Sequence, residues 1–473
     1  LKSSYFDYET KFIGSTAISA KMRALILPFI YVLFLLAFLD DNGAARADNP
    51  IIQTIYTADP APIVYGDRLY CFTDHDLPDS TFFNMTDWRL FSTTDMANWL
   101  DHGIVMSLKT FSWASANAWA GQVINRNNKF YYYAPMTHGA TGAMAIGVGV
   151  SDTITGPYVD ALGHPLVENN EIDPTVLIDD DGQAYLYWAN PDLWYVKLNK
   201  DMISYSGSPA KIQLTVAGFG AREGSENRST SFEEGPWVYK RNGIYYNVFA
   251  ADCCSEDIRY STSPGPLGPW TYRGVVMPTQ GSSFTNHPGV IDYKGNSYFF
   301  YHNGALPGGG GFERSVAVER FVYNADGSIP QMNMTTTGAP RIDTLNPYQR
   351  QEAELIAWSS GVSTEVCSEG GLDVCNINNG DYVKVEGVDF ANGAKSFSAR
   401  VASATSGGNI ELHLDSVHGA LVGTCAVRNT GGWQTWTTIT CSVSSATGIR
   451  DLFFVYTGSG TGFLFNVNWW QFK

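Results

Sequence analysis

The stretch Phe232-Glu233-Glu234-Gly235-Pro236-Trp237 sets two carboxylates directly before a Gly-Pro break and an indole. A carboxyl group desolvated beside a bulky ring holds its proton at neutral pH and can hand it to a leaving group. A single Glu-Glu-Gly would be an exposed acidic turn, because most carboxylates are simply solvated. Here the stretch recurs in altered form. Asp59-Pro60-Ala61-Pro62 and Asp173-Pro174-Thr175 carry a carboxylate at nearly the same place in their own copies. Three such groups, with no Ser-His or Cys-His arrangement, point to acid–base hydrolysis. Glycoside hydrolysis needs one protonated and one ionised carboxyl group across the scissile bond. The assignment is Glu234 as acid, with Glu233 as its rival, and Asp59 as base. Asp173 is the third charge, which holds the Glu234 proton in place by repulsion. Acid and base on separate elements leave room for a water, the inverting geometry, with roughly 6.5–9.5 Å expected between them.

The elements that must position these groups are legible from the repeats. Five segments share a small or Pro residue, a β-branched run, a turn and an aromatic strand. They begin at Asp59, Ala120, Asp173, Glu234 and His287, and their turns are Gly66-Asp67, Asn127-Asn128, Asp181-Gly182, Asn242-Gly243 and Lys294-Gly295. Asn-Gly and Asp-Gly between apolar runs are hairpin signals. Spacing of roughly 50–60 residues suits propeller blades of about four strands. The expected fold is all-β: a five-bladed β-propeller over 48–330, a linker over 331–347, and a β-sandwich of jelly-roll type over 348–473. In that last part the strands are short and rich in Gly, Ser and Thr, and Asn409-Ile410-Glu411-Leu412-His413-Leu414 alternates with period two. In a propeller, equivalent positions ring the axis, so the three carboxylates should converge at one end of the channel.

Composition narrows the partners. Charged residues are 16%, aromatics 14%, and the net charge is −16. That texture fits a well-buried, turn-rich chain and excludes a nucleic-acid binder, which needs a basic face. Met22-Arg23, the apolar run Ala24–Leu39 and Ala45-Arg46-Ala47 form a secretory signal with a small-residue cleavage site. Residues 1–21 show no folding pattern and are read as lying upstream of a start at Met22. The mature chain is then an extracellular monomer, beginning near Asp48 and making no membrane contact after cleavage. Secretion permits disulfides, and Cys367/Cys375 and Cys425/Cys441 fall as close pairs. Cys71, Cys253 and Cys254 are expected as buried thiols or one long-range disulfide. Gly308 to Gly311 lacks the Lys-Ser/Thr of a phosphate loop and reads as a flexible rim.

At Thr57-Ala58-Asp59-Pro60-Ala61-Pro62, Ile172-Asp173-Pro174-Thr175 and Glu234-Gly235-Pro236-Trp237 the first part resembles glycoside hydrolase family 43. The resemblance implies a five-bladed, inverting, exo-acting arabinofuranosidase or xylosidase, with Asp59 as base, Glu234 as acid and Asp173 as pKa modulator. It implies that Arg314 lies near the sugar pocket with Asn286, and that His287 holds an axial calcium ion or its water shell. Trp119 is a candidate pocket wall. The last part resembles carbohydrate-binding module family 6 at Gln351-Glu352-Ala353-Glu354, Asn379-Gly380-Asp381-Tyr382-Val383, Gly431-Gly432-Trp433-Gln434 and Asn466-Val467-Asn468-Trp469-Trp470. That implies Tyr382 and Trp433 as the sugar-stacking pair, Asn466 and Glu365 as polar partners, and a structural Ca2+ held by Glu352, Glu354 and Asn468. Together these give a secreted hemicellulase that removes α-L-arabinofuranosyl groups from arabinoxylan while its module holds xylan. The alternatives are a β-xylosidase or exo-xylanase, and, from another class, a non-catalytic carbohydrate-binding propeller.

Overall fold

The computed structural model describes residues 48–223, 227–460 and 462–473. The secretory segment read at 1–47 lies outside the described residues.

All five expected hairpins form, each as the first two strands of its own sheet. Blade I is Tyr56–Tyr65, Arg68–Asp76, Asp87–Thr93 and Trp99–Ser107. Blade II is Gln122–Arg126, Lys129–His138 and Met144–Ser151, with Val159–Asp160 outside. Blade III is Ile172–Ile178, Ala184–Ala189, Leu193–Leu198 and Tyr205–Lys211. Blade IV is Phe232–Arg241, Ile244–Ala251, Asp257–Ser263 and Thr271–Met277. Blade V has only Gly289–Tyr293, Asn296–Asn303 and Ser315–Phe321. Its missing outer partner comes from the start of the described chain. The Ile51 amide donates to the Val316 carbonyl, and the Asn49 side chain both donates to the Val318 carbonyl and accepts from the Val318 amide. Blade V also abuts blade I without a gap: a Cβ at Gly289 would stand 2.5 Å from Pro62 and 2.7 Å from the Pro60 carbonyl. Trp88, Tyr132, Tyr246 and Tyr301 are fully buried in one apolar cluster between blades. Each contributes about 2–3 kcal/mol by leaving water.

The C-terminal part is a sandwich. One sheet runs Ser363–Val366, Leu372–Cys375, Asn466–Phe472, Ser396–Ser403, Gly432–Ser442; the other runs Trp358–Ser360, Tyr382–Asp389, Ile449–Thr457, Gly408–Leu414, Ala420–Val427. The segment 331–347 is no free tether. Met332 donates to Val276, Thr335 to Glu319, Ile342 to Asp95 and Leu345 to Gly387. Beyond it, Leu355–Ile356 pairs antiparallel with Trp99 and Leu100 and extends blade I by a fifth strand. Asn98 exchanges two hydrogen bonds with the Glu386 backbone, and Thr364 donates to Asp101. The sandwich is therefore docked on the propeller.

The cysteines depart from expectation. Cys425 and Cys441 are bonded, with Cα atoms 5.2 Å apart. Cys367 and Cys375 are not; both are buried thiols. In their hairpin Cys375 stands opposite Ser363, whereas Cys367 bonds across to Gly371. Four residues of strand, about 13 Å, separate the two rungs. Cys253 and Cys254 are bonded to each other rather than to Cys71, which is a buried thiol.

Candidate active site

The same backbone device recurs on blades I, III and IV. Asp59 (φ 51°), Asp173 (φ 54°) and Gly235 (φ 59°) are left-handed, and each directly precedes a proline. Each lies at a register shift in the innermost hairpin, which turns the local side chains out of the ladder toward the axis. Glycine suits 235, where φ is positive and a Cβ would stand 3.1 Å from the His287 ring. Glu234 is thus offset by one residue from Asp59 and Asp173, yet its carboxyl reaches the same hollow.

That hollow, about 240 Å3, is lined by Asp59, Asp173, Glu234, Asn190, Arg314, His287, Trp119, Phe82 and Phe83, among others. The three carboxylates converge as the repeats predict. A larger cavity of about 450 Å3 opens at the opposite ends of the same inner strands, lined by residues such as Pro62, Gln122 and Val238. It gathers no converging carboxylates, so the chemistry belongs to the smaller one.

The two ends of the hollow hold opposite ionisation states. Burial opposes charge on Asp59, but the Arg314 guanidinium (Nη1 to Oδ1, 3.2 Å) holds its carboxyl well below the usual carboxylate range; the imidazoles of His302 (3.2 Å) and His287 (3.8 Å) stand beside it. Burial, followed by the negative charge of Asp59, pushes Glu234 up to about 7; a hydrogen bond from the Asn190 amide opposes this. The proton-holding effect expected of Asp173 therefore comes mainly from desolvation. Asp173 does something else as well: its Oδ2 accepts the Gly235 N–H at 2.9 Å and so fixes the peptide next to Glu234. Burial and the Glu234 charge raise Asp173 well above its ordinary value. Glu233, the rival acid, is held by Arg222 (2.8 Å) and Arg228 (2.6 Å) and does not line the hollow.

Other expected residues divide. Arg314 is buried, not a surface pair: Nε and Nη2 grip Asp76 while Nη1 reaches Asp59. Trp119 is a wall, its indole N–H tied to the Phe83 carbonyl. Asn286 does not line the hollow. Its Oδ1 accepts from the His287 and His302 amides, so it supports the histidines rather than the sugar. His287 faces Asp59, and burial lowers its imidazole to about 4. Among the described residues, no set of three His, Cys, Asp or Glu ligand atoms gathers at His287; the one such set is Cys253, Cys254 and Glu256. Sequence reasoning missed Asn190, His302, Phe82 and Phe83. Only the run Phe82-Phe83, two aromatics in an otherwise polar loop, carried a signal.

In the sandwich, Asn466 donates to Glu365 (2.8 Å) and to the Trp433 carbonyl (3.2 Å), and Gln434 ties Glu365 to Asp373. Tyr382 makes no ring contact with Trp433; it stands on the other sheet with Phe453 as its ring neighbour at 6.0 Å. At the expected calcium position, Glu354 Oε2 and Asn468 Oδ1 are buried and unpartnered, and burial pushes the Glu354 carboxyl up to about 8. Two orphaned oxygens of this kind fit a hard cation. Glu352 is half-exposed and pairs with Arg350.

Comparison with known proteins agrees with this geometry. Residues 47–329 match the family described as glycosyl hydrolases family 43, and residues 352–473 match carbohydrate binding module family 6. An arabinoxylan arabinofuranohydrolase of Bacillus subtilis is 37% identical across 90% of this chain and 92% of its own length. One of Paenibacillus polymyxa is 34% identical across 96% and 79%. The crystal structure of a glycoside hydrolase family 43 arabinoxylan arabinofuranohydrolase from Bacillus subtilis, in complex with cellotetraose, superposes with a TM-score of 0.78 at 35% identity, covering 90% of this chain and 97% of that one. The chain belongs to glycosyl hydrolases family 43 and carries a C-terminal carbohydrate binding module of family 6.

Proposed function

We propose that the protein is an exported, inverting hydrolase that removes terminal α-L-arabinofuranosyl groups from arabinoxylan while its sandwich holds the xylan chain. One observation carries the reading: the carboxyl of Asp59, gripped by the Arg314 guanidinium, and the buried carboxyl of Glu234, which touches no cation among the described residues, face a single hollow from different blades. Asp59 takes a proton from a water on one face of the sugar. Glu234 gives its proton to the departing oxygen on the other. Asp173, through the Gly235 amide, keeps Glu234 aimed, and Arg314 keeps Asp59 charged. A hollow of about 240 Å3 is below the roughly 300–1,000 Å3 of drug-sized sites, which suits one terminal sugar. The names of the Bacillus and Paenibacillus relatives support arabinose as that sugar and arabinoxylan as the polymer. Export rests on the apolar run behind Met22-Arg23. In the sandwich, Glu354 and Asn468, with Glu352 nearby, would hold a Ca2+ that ties the first and last strands of the module together.

Product identification on arabinoxylan tests the reading. The expected result is free arabinose with the xylan backbone intact, released as the inverted anomer by NMR during the first turnovers. Xylose from unbranched xylooligosaccharides, with no arabinose, would replace it with a β-xylosidase. No release of either sugar would leave a binding propeller.

A further inference from the structure

Asp74 lies on the second strand of blade I, directly across from Ala58 and one residue from the base. It is 1% exposed, and neither carboxyl oxygen has a conventional donor. Its carboxyl does lie within hydrogen-bond reach of the Asp59 carboxyl. Three carboxylates, Asp59, Asp74 and Asp76, crowd around one guanidinium, and the Arg314 fork is already committed to the other two. Among the described residues no cation is left to pair with Asp74. Two ionised carboxylates in contact inside a dry core are unfavourable, so one of the pair keeps a proton. Asp59 has the Arg314 guanidinium at 3.2 Å to support its charge, so the proton resides on Asp74. Burial and the Asp59 charge raise Asp74 well above its ordinary value, in agreement.

His302 does not substitute for this donor. Its Nε2 lies 2.9 Å from the Thr285 carbonyl, and an N–H there leaves Nδ1 to accept the Asp59 amide at 3.3 Å. The groups facing the pair are then Arg314, Asp76, His302, His287, Asp173, Glu234 and the Tyr132 phenol. Among them, besides Arg314, only a protonated Asp74 can donate firmly to the Asp59 carboxylate from behind.

We propose that Asp74 is a positioning residue, a buried carboxylic acid whose O–H donates to Asp59 and fixes the orientation in which Asp59 meets the water. The inference rests on the reading of Asp59 as the base. Four variants separate the two: Asp74→Asn, which keeps a donor in the same volume; Asp74→Leu and Asp74→Ala, which remove it; and Asp59→Ala. On a small arabinofuranoside, Asp74→Leu and Asp74→Ala should lose ten-fold or more in kcat with KM within about three-fold. The acid limb of kcat/KM should move up by about one pH unit, because an ionised Asp59 loses a supporting hydrogen bond. Asp74→Asn should recover at least a third of wild-type kcat and return the acid limb toward its original position. Thermal unfolding checks that each variant is folded, and the Leu and Ala forms back each other up. A folded Leu or Ala form with wild-type kcat and an unmoved acid limb would overturn the proposal, and so would an Asn form as impaired as they are. If instead Asp59→Ala is itself active, the reading of Asp59 as base fails and the inference falls with it.

Discussion

Asn190 offers a quantitative test of how the acid is poised. Its amide donates to the Glu234 carboxyl from the rim of the hollow, and it favours the ionised form. Burial and the Asp59 charge oppose it, and the balance sits at about 7. Asn190→Ala removes the one group among the described residues that stabilises Glu234 as an anion by a direct hydrogen bond. A hydrogen bond to a charged group is worth about 1.5–3 kcal/mol. Asn190 is half-buried, so the lower end applies. One pKa unit corresponds to about 1.4 kcal/mol, so the Glu234 pKa should rise by about one unit. The alkaline limb of kcat/KM reports the acid in the free enzyme, and it should move from near 7 to near 8. The acid limb, set by Asp59, should stay where it is. The assay is a kcat/KM profile from about pH 2.5 to about pH 10 on a chromogenic arabinofuranoside with a good leaving group, at constant ionic strength. An alkaline limb that stays put or moves down would refute the balance described here.

Three further outcomes are expected. Glu234 has a folded pKa about 2.5 units above its ordinary 4.5, so it costs nothing below about pH 4.5, and ionising it costs up to about 3 kcal/mol above pH 7. Glu234→Gln should therefore raise the unfolding midpoint at pH 8 and leave it nearly unchanged at pH 4, while abolishing turnover; differential scanning calorimetry at both values decides it. Chelation with EDTA should lower the unfolding temperature of the native chain, and Glu354→Gln with Asn468→Ala should abolish that sensitivity; an EDTA-insensitive wild-type protein would remove the ion from the sandwich. Cys425→Ser with Cys441→Ser opens a short loop, 16 residues in sequence separation, and should cost about 3 kcal/mol in urea unfolding, with arabinofuranoside turnover unaffected.

Much of this architecture is written locally in the chain. The turns at Gly66-Asp67, Asn242-Gly243 and their three counterparts are set by residues that tolerate positive φ, so each hairpin can be read from a few positions. The carboxylates directly before Pro60 and Pro174, and two residues before Pro236, are equally local, and they brought three distant groups to one hollow. What could not be read is long-range. Asn190 meets Glu234 across two blades, and nothing in Ala189-Asn190-Pro191 announces it. The closing of blade V by Asn49 and Ile51 joins positions more than 260 residues apart. Cys367 and Cys375 looked like a pair because sequence distance does not reveal strand register. His287 was read from its ring position, which predicts that it points inward but not what it meets there.

The strand Leu355–Ile356 bears on how this protein can be cut. It covers the outer edge of blade I at Trp99 and Leu100, and Trp99 beneath it is 1% exposed. A catalytic fragment ending before residue 350 would bare a row of backbone donors and acceptors beside a large indole. Such an edge recruits other strands. The shortened enzyme would keep all its carboxylates and lose solubility, so trimming the chain for crystallisation or expression calls for a stop beyond Ile356 or a charged replacement along 99–107.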